Sequence, residues 1–472
     1  MTKPATDQAQ ATPAKQFFVS MLTRDINLVD AILDLLDNCL DGALRIADGG
    51  SVDYAQHFVK IELAADHFSI EDNCGGIPRE VARNYAFKMG REPDDDRDCD
   101  AETIGMYGVG MKRAIFKMGR EALVRTRCGD DTFEVPLTSS WLDAKGWDPL
   151  PITEPSEFSE KLAEPGTVIR VHELYDGVSR HFANESFEND VRTAISEHFT
   201  MQLQRGLQVC LNGKPVKPVL VEVLISDRDD GPAPFVFQKT IDDVEVSIMV
   251  GLNTARSLSN VDEEEEAGFE RDCASGAAGW TVLCNGRAVI VGDKSRLTGW
   301  GDGIPLYGPQ FAVFTGIIEF RSKRADRLPV TTTKRALDTS SNVWLESLVK
   351  MKEGMRIWIS YINQWKNHPR ADQADYWEDA KPLSLSKVIA AVASRSAIKR
   401  SGSQIEFNPQ KAKVMPQPPG RTPSSRKIVF SRPDEQIRRV SKMLFDISDE
   451  KPGIVGEACF ELILARAIKQ EC

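Results

Sequence analysis

The chain has 472 residues and a formal net charge of −11, with 41% hydrophobic and 27% charged residues. That balance suits roughly two to four packed domains and excludes a general polyanion binder. Nine cysteines occur without a CxxC pair or a Cys/His cluster of zinc-ligand spacing, which reads as free thiols in a reducing compartment. The polar N-terminus has no apolar signal core, and no run reaches the ~18 apolar residues needed to span a bilayer. The expected location is cytoplasmic, with no membrane partner.

Taken in chain order, residues 1–15 read as a flexible tail rich in Ala, Thr, Pro and Gln. Leu28, Val29, Ile32, Leu33, Leu36, Leu40 and Leu44 recur at steps of three and four, which predicts a helix with one buried stripe over 25–47. Strands are predicted at 58–63 and 68–71, a helix near 111–118, and strands at 122–126, 133–137 and 167–171. This order gives an α/β two-layer sandwich over 16–215. A helix is predicted at 184–204, and Asn212-Gly213 is a hairpin-turn signal. Residues 216–367 form a second α/β domain, with strands at 244–250 and 311–320. Its hairpin turns at Asn285-Gly286, and its long helix runs over 343–365. A helical connector (368–399), a Ser/Pro/basic linker (400–432) and a helical region (433–472) complete the expected organisation.

Three short segments carry chemistry. On the first helix, Asp34 and Asn38 share a face, with Asp37 and Asp41 beside it. By themselves these are either a solvated face or a magnesium-and-water site. In the second reading Asn38 supplies an amide oxygen and a carboxylate one turn earlier takes a proton from water. Asp72-Asn73-Cys74-Gly75-Gly76-Ile77 is either a turn or the edge of a pocket. In a pocket, paired glycines admit a flat ligand and the carboxylate accepts from an exocyclic amine. The third segment, Gly105-Met106-Tyr107-Gly108-Val109-Gly110-Met111-Lys112, opens a helix where backbone N–H groups hold phosphates. It is not a P-loop, and Arg113 stands where a dinucleotide fingerprint needs glycine.

In this order the three segments, with Gly166-Thr167-Val168-Ile169 as a fourth, resemble the GHKL (Bergerat-fold) ATPases. The resemblance implies ATP and Mg²⁺ as ligands. It implies that Asn38 holds Mg²⁺, that Asp72 reads the adenine amine with support from Thr167, and that Gly76, Ile77 and Met89 line the adenine pocket. Residues 91–110 would form a lid. Asp41, Gly105, Gly108, Val109, Gly110, Met111 and Lys112 would lie about the nucleotide. Asp34 stands where the family usually has a catalytic glutamate, and Cys74 replaces a glycine; the first departure puts the turnover rate in question.

Histidine kinases fit poorly, because the six histidines are scattered and no phosphoacceptor box precedes the motifs. The chain looks more like the subclass with a transducer domain, which includes MORC, MutL and gyrase B-type proteins. There a lysine from the second domain reaches the γ-phosphate, and Lys334 of Thr331-Thr332-Thr333-Lys334 matches it. The implied protein is an ATP-gated homodimeric clamp on a protein or nucleic-acid partner, similar to stand-alone bacterial proteins of stress or phage-defence systems. A nucleotide-bound module with little turnover is the alternative. Residues 387–439 hold twelve Lys/Arg against three Asp/Glu, which is either a solvated linker or a phosphate-binding surface.

Overall fold

The computed structural model describes residues 14–47, 50–90, 102–103, 105, 108–156, 162–253, 278–331, 334, 336–365, 377, 379–418 and 431–471. Two compact units divide at Pro418/Pro419.

The first unit opens with α1 (Lys15–Arg24), which the periodicity did not single out, and α2 (Leu28–Ile46). Asn27 caps α2 by accepting from the Asp30 N–H at 2.8 Å, and the leucine stripe buries Leu28, Ile32, Leu33, Leu36 and Leu40. Next come β1 (Phe58–Leu63), β2 (Phe68–Asp72), the short α3 (Arg79–Val81), α4 (Gly110–Met118), β3 (Gly119–Cys128), β4 (Asp131–Leu137), α5 (Ser139–Asp143) and β5 (Gly166–Leu174). The helices α6 (Asp176–Phe182), α7 (Glu185–His198) and α8 (Thr200–Gln204) lead into β6 (Gln208–Leu211) and β7 (Lys214–Pro215). The single helix expected over 184–204 is two, interrupted at Phe199.

These strands form one sheet in the order β4-β3-β5-β2-β1-β6-β7, antiparallel except for the parallel β1–β6 pair. In β1, Val59, Ile61 and Leu63 are buried while Lys60 and Glu62 are exposed, so one face carries the core and the other meets solvent. Helices α2, α4 and α7 supply the other side of that core through Leu36, Ile115 and Ile195.

A second sheet has the order β12-β11-β13-β10-β9-β16-β15. Its strands are β9 (Phe235–Ile241), β10 (Val244–Leu252), β11 (Gly279–Cys284), β12 (Arg287–Asp293), β13 (Phe314–Arg321), β15 (Lys399–Ser401) and β16 (Gln404–Phe407). The period of two sorts its side chains onto two faces. Phe235, Phe237, Ile248, Val282 and Ile318 join the core under α9 (Asn342–Trp365). Val236, Met249, Leu283 and Ile317 join the other, with Leu385, Val388 and Val392 of α10 (Leu385–Ala393). A two-stranded ribbon, β8 (Val223–Ser226) with β14 (Ala380–Leu383), lies on this second side. Being buried on both faces, the strands read as near-continuous apolar runs.

The organisation expected after residue 367 needs correction. Residues 366–376 lie outside the described part, but β14 and α10 occupy much of the supposed helical connector. The supposed linker begins with sheet strands: Phe407 pairs with Val236 and is wholly buried, and Val414 and Met415 are buried too. Short basic strands at a sheet edge have the composition of a linker, which is why they passed for one. The second unit holds two helices, α11 (Asp434–Phe445) and α12 (Pro452–Glu471), whose turn is tied by Ser441 Oγ donating to the Ile447 carbonyl at 2.6 Å.

The strand assignment separates from the linker by one substitution. Phe407→Ala should destabilise the protein by about 3–5 kcal/mol, the cost of emptying a buried aromatic site. Denaturant unfolding unchanged by Phe407→Ala would return residues 400–418 to the linker.

Candidate functional site

Three strand ends and a glycine turn build one half of the site. Asp72 closes β2, opposite Thr167 of β5, and is buried. Its Oδ1 accepts from the Cys74 N–H at 2.8 Å, and the Cys39 thiol and Thr167 N–H also reach it. No cation is among them. Burial therefore dominates and pushes the carboxyl up to about 6, although these hydrogen bonds favour the charged form. Beside it, Gly76 has φ +72°, and a Cβ there would lie 2.0 Å from the Arg127 carbonyl oxygen. Only glycine lets the turn pass this close to β3. Thr126 of β3 completes the wall: its Oγ1 accepts from the Ile77 N–H at 2.7 Å and lies 3.2 Å from Thr167 Oγ1. Ile77 and Met89 are half-buried against the adjoining core.

The other half is a buried charge cluster on α2. Asp37 Oδ1 accepts from Arg287 Nε at 2.8 Å, and its Oδ2 accepts from Lys334 Nζ at 3.0 Å. Asp34 Oδ2 accepts from Arg113 Nη2 of α4, while its Oδ1 lies 3.9 Å from Lys334 Nζ. Burial opposes the charged form of Asp37, but Arg287 and Lys334 outweigh it and hold the carboxyl below its ordinary value. Burial likewise opposes the charged Lys334, yet Asp37, Asp34 and Asp41 together raise its pKa. The Arg287 guanidinium also lies 4.3 Å over the Phe199 ring.

Two loops of the second sheet deliver these cations. Arg287 follows the Asn285-Gly286 turn of the β11–β12 hairpin. That hairpin is held by Gln202 Nε2 donating to the Gly286 carbonyl at 3.1 Å and by His198 Nδ1, 2.5 Å from the Ala288 carbonyl oxygen. Asn285 Nδ2 donates to the Thr103 carbonyl at 3.0 Å, which ties the same hairpin to the segment before the glycine loop. Lys334 sits in a tight turn between bridged Val330 and Leu337, at φ 57°. Its ammonium stands in the α2 cluster, between Asp37 and Asp34.

Of the glycine loop, residues 91–101, 104, 106 and 107, most of the expected lid, lie outside the described part. Asp41 is buried and its Oδ2 accepts from the Gly105 N–H at 3.1 Å. Gly108 has φ 63°, and Val109 precedes the first turn of α4, where Gly110 and Met111 lie. Lys112 differs from the expectation that its charge faces phosphate. Its ammonium donates to the carbonyls of Ala86 (2.9 Å), Lys88 (2.5 Å) and Gly108. A buried ammonium needs acceptors, and the two ends of the loop provide them.

Asn38, unlike Asp34, Asp37 and Asp41, is exposed. Among the described residues no group of three or more His, Cys, Asp or Glu side chains suits a metal. An open amide oxygen beside buried carboxylates fits a magnesium ion that takes most of its ligands from phosphate and water.

Sequence reasoning brought Asp34, Asp37, Asp72, Gly76, Thr167 and Lys334 into view but missed Thr126, Arg113 and Arg287. Arg287 had a faint signal, a cation directly after an Asn-Gly turn. Arg113 had none beyond its place next to Lys112.

Residues 26–164 match the family model of histidine kinase-, DNA gyrase B- and HSP90-like ATPases. This is less than half of the chain, and it covers Asp34, Asn38, Asp72, Gly76 and Lys112. A GHKL-type ATPase domain is thus present, which points to ATP binding. No curated protein matches the chain. Among the described residues no helix is long and apolar enough to cross a membrane.

The charge cluster has a pH signature. Asp37 has a depressed pKa, so its stabilising contribution is present above its ordinary value of 3.8 and is lost as pH falls through the depressed one. The Lys334 contribution is present below 10.5 and is lost as pH rises through its raised value. Asp37→Asn should cost about 3–5 kcal/mol near neutral pH, as breaking a buried ion pair does. The gap to the parent should narrow only below about pH 4. Thermal unfolding from pH 3 to 9 checks this; a gap that is constant across the range would remove Asp37 from the pairing.

Proposed function

We propose that the protein is a magnesium-dependent ATPase whose second domain takes part in the site through Lys334. The observation that carries this reading is the position of Lys334 Nζ, 3.0 Å from Asp37 and 3.9 Å from Asp34, on the helix that also bears Asn38. In this reading Asp72 accepts from the adenine amine and Thr126 and Thr167 line the same wall. Gly76 and Ile77 lie along the base, and the N–H groups opening α4 at Gly108, Val109, Gly110 and Met111 face the phosphates. Mg²⁺, held through Asn38, supplies charge neutralisation at the phosphates.

Asp34 is the proton acceptor. The water oxygen forms a bond to the γ-phosphorus, and the bond to the bridging oxygen breaks with its electron pair leaving on ADP. The water proton goes to Asp34 Oδ1, the oxygen that Arg113 leaves open. Lys334 lies 3.9 Å from the same oxygen, close enough to turn to the γ-phosphate, where negative charge gathers as the bridging bond breaks. The second domain therefore senses the nucleotide through a side chain of its own. This supports the further reading of an ATP-gated homodimeric clamp that acts on a protein or nucleic-acid client.

One observation favours a second reading. Asp34 and Asp37 are already in ion pairs, which suits a nucleotide-bound module with little turnover. Steady-state hydrolysis, with and without DNA, separates the two.

Asp34→Asn should lower turnover about 10²- to 10⁴-fold and leave ATP affinity near that of the parent. Equal turnover in parent and variant would remove Asp34 as the base. ATP affinity should also fall with acidity. The acceptor form of Asp72 is lost as pH drops through about 6, so binding should weaken by about tenfold per pH unit below that value. Calorimetry on the parent and on Asp72→Ala tests it, since the variant should bind weakly at every pH. For the clamp, light scattering should show a larger dimer fraction with a non-hydrolysable ATP analogue than with ADP; a monomer under both conditions leaves the static module.

A further inference from the structure

Arg113 has entered so far only as the partner of Asp34 Oδ2, yet its surroundings are unusual. It is on the first turns of α4, with its N–H donating to the Val109 carbonyl at 2.9 Å. It is 8% exposed, and its Nη2 is the donor that holds Asp34 Oδ2. Its Nε is buried and has no hydrogen-bond partner among the described residues. A buried guanidinium donor without an acceptor is costly and needs an explanation. The helix that carries it lies alongside the same carboxylate: a Cβ on Gly110 would make ordinary contact with it, 3.6 Å from Asp34 Oδ2.

These observations bear on the aspartate at position 34. An aspartate is one methylene shorter than a glutamate and reaches about 1.5 Å less far. Here α4 places a cation on the carboxylate. We propose that Arg113 is the positioning residue for Asp34. Its Nη2 fixes Oδ2, so that only Oδ1 receives the proton. The buried Nε–H, without a partner among the described residues, is the cost of that placement. Asp34 and Arg113 are then a matched pair that does the work of a longer acid. This rests on the reading of Asp34 as the proton acceptor. It also makes Asp34→Glu a loss, because the added methylene drives the carboxylate into space that the Arg113 guanidinium already fills.

The test uses the full chain with ATP and Mg²⁺, and compares the parent with Arg113→Gln, Arg113→Lys, Asp34→Glu and Asp34→Asn. Circular dichroism and calorimetry with a non-hydrolysable ATP analogue establish fold and affinity for each. Arg113→Gln should lower kcat by about 10²-fold with KM within about threefold, as loss of a positioned base does. Arg113→Lys, which keeps the charge, should recover at least about tenfold of that loss. Asp34→Glu should turn over more slowly than the parent. An Arg113→Gln variant at parental kcat overturns the proposal, as does one in which analogue binding and turnover fall together, the mark of a merely structural arginine. Arg113→Lys no better than Arg113→Gln overturns it as well, and so does Asp34→Glu faster than the parent. Asp34→Asn keeps the two readings apart. If that variant is as active as the parent, the assignment of the base fails. If it is inactive while the Arg113 variants are unaffected, only the positioning role falls.

Discussion

The contact between α2 and the second sheet depends on one buried carboxylate, Asp37. A charge that is 1% exposed is tolerable only when its partners are close and well aimed. Asp37 has two, Arg287 and Lys334, one on each oxygen. Neither belongs to the first sheet or its helices. The carboxylate is thus satisfied only when two separate loops of the second sheet lie against α2. The hairpin at Asn285 and the turn at Lys334 are shaped by their own strands, and α2 by its leucine stripe. The ion pairs add the requirement that these independently folded parts meet in one register. The same geometry puts Lys334 next to Asp34, so a structural demand of Asp37 places a cation where phosphate chemistry can use it.

How much of this could be read in the sequence follows from the distance over which each signal acts. The helix α2, its polar face and the Asp72–Gly76 turn were legible because helix period and turn chemistry are local. The Asn285-Gly286 hairpin was legible for the same reason. What Arg287 does was not, because its partner lies 250 residues away and no spacing rule connects them. Arg113 was hidden differently: it read only as the residue that spoils a dinucleotide fingerprint, and its pairing with Asp34 depends on how α4 crosses α2. Lys112 misled because a lysine after a glycine loop has the composition of a phosphate ligand. In the fold its ammonium is occupied by the carbonyls of Ala86, Lys88 and Gly108. Residues 400–407 misled through composition as well, since serine, glycine and basic residues serve an edge strand as readily as a linker.

The two ends of the site follow opposite electrostatic rules, and that contrast is itself informative about the ligand. Asp72 and Asp37 are both buried carboxylates. Asp72 has only neutral donors around it, and burial pushes it up to about 6. Asp37 has two cations, which outweigh burial and pull it down. A neutral heterocycle with an exocyclic amine suits the first environment, where a single acceptor confers selectivity and no charge has to be matched. A polyanion suits the second. There Arg113, Arg287 and Lys334 face the two carboxylates Asp34 and Asp37, with the N–H groups at the start of α4 beside them. Asp34 and Asp37 each keep an arginine of their own, so Lys334 can turn from a carboxylate to a phosphate oxygen and leave neither without a cation. Lys334 is carried by the second domain, and this division of partners gives nucleotide contact a direct route to it.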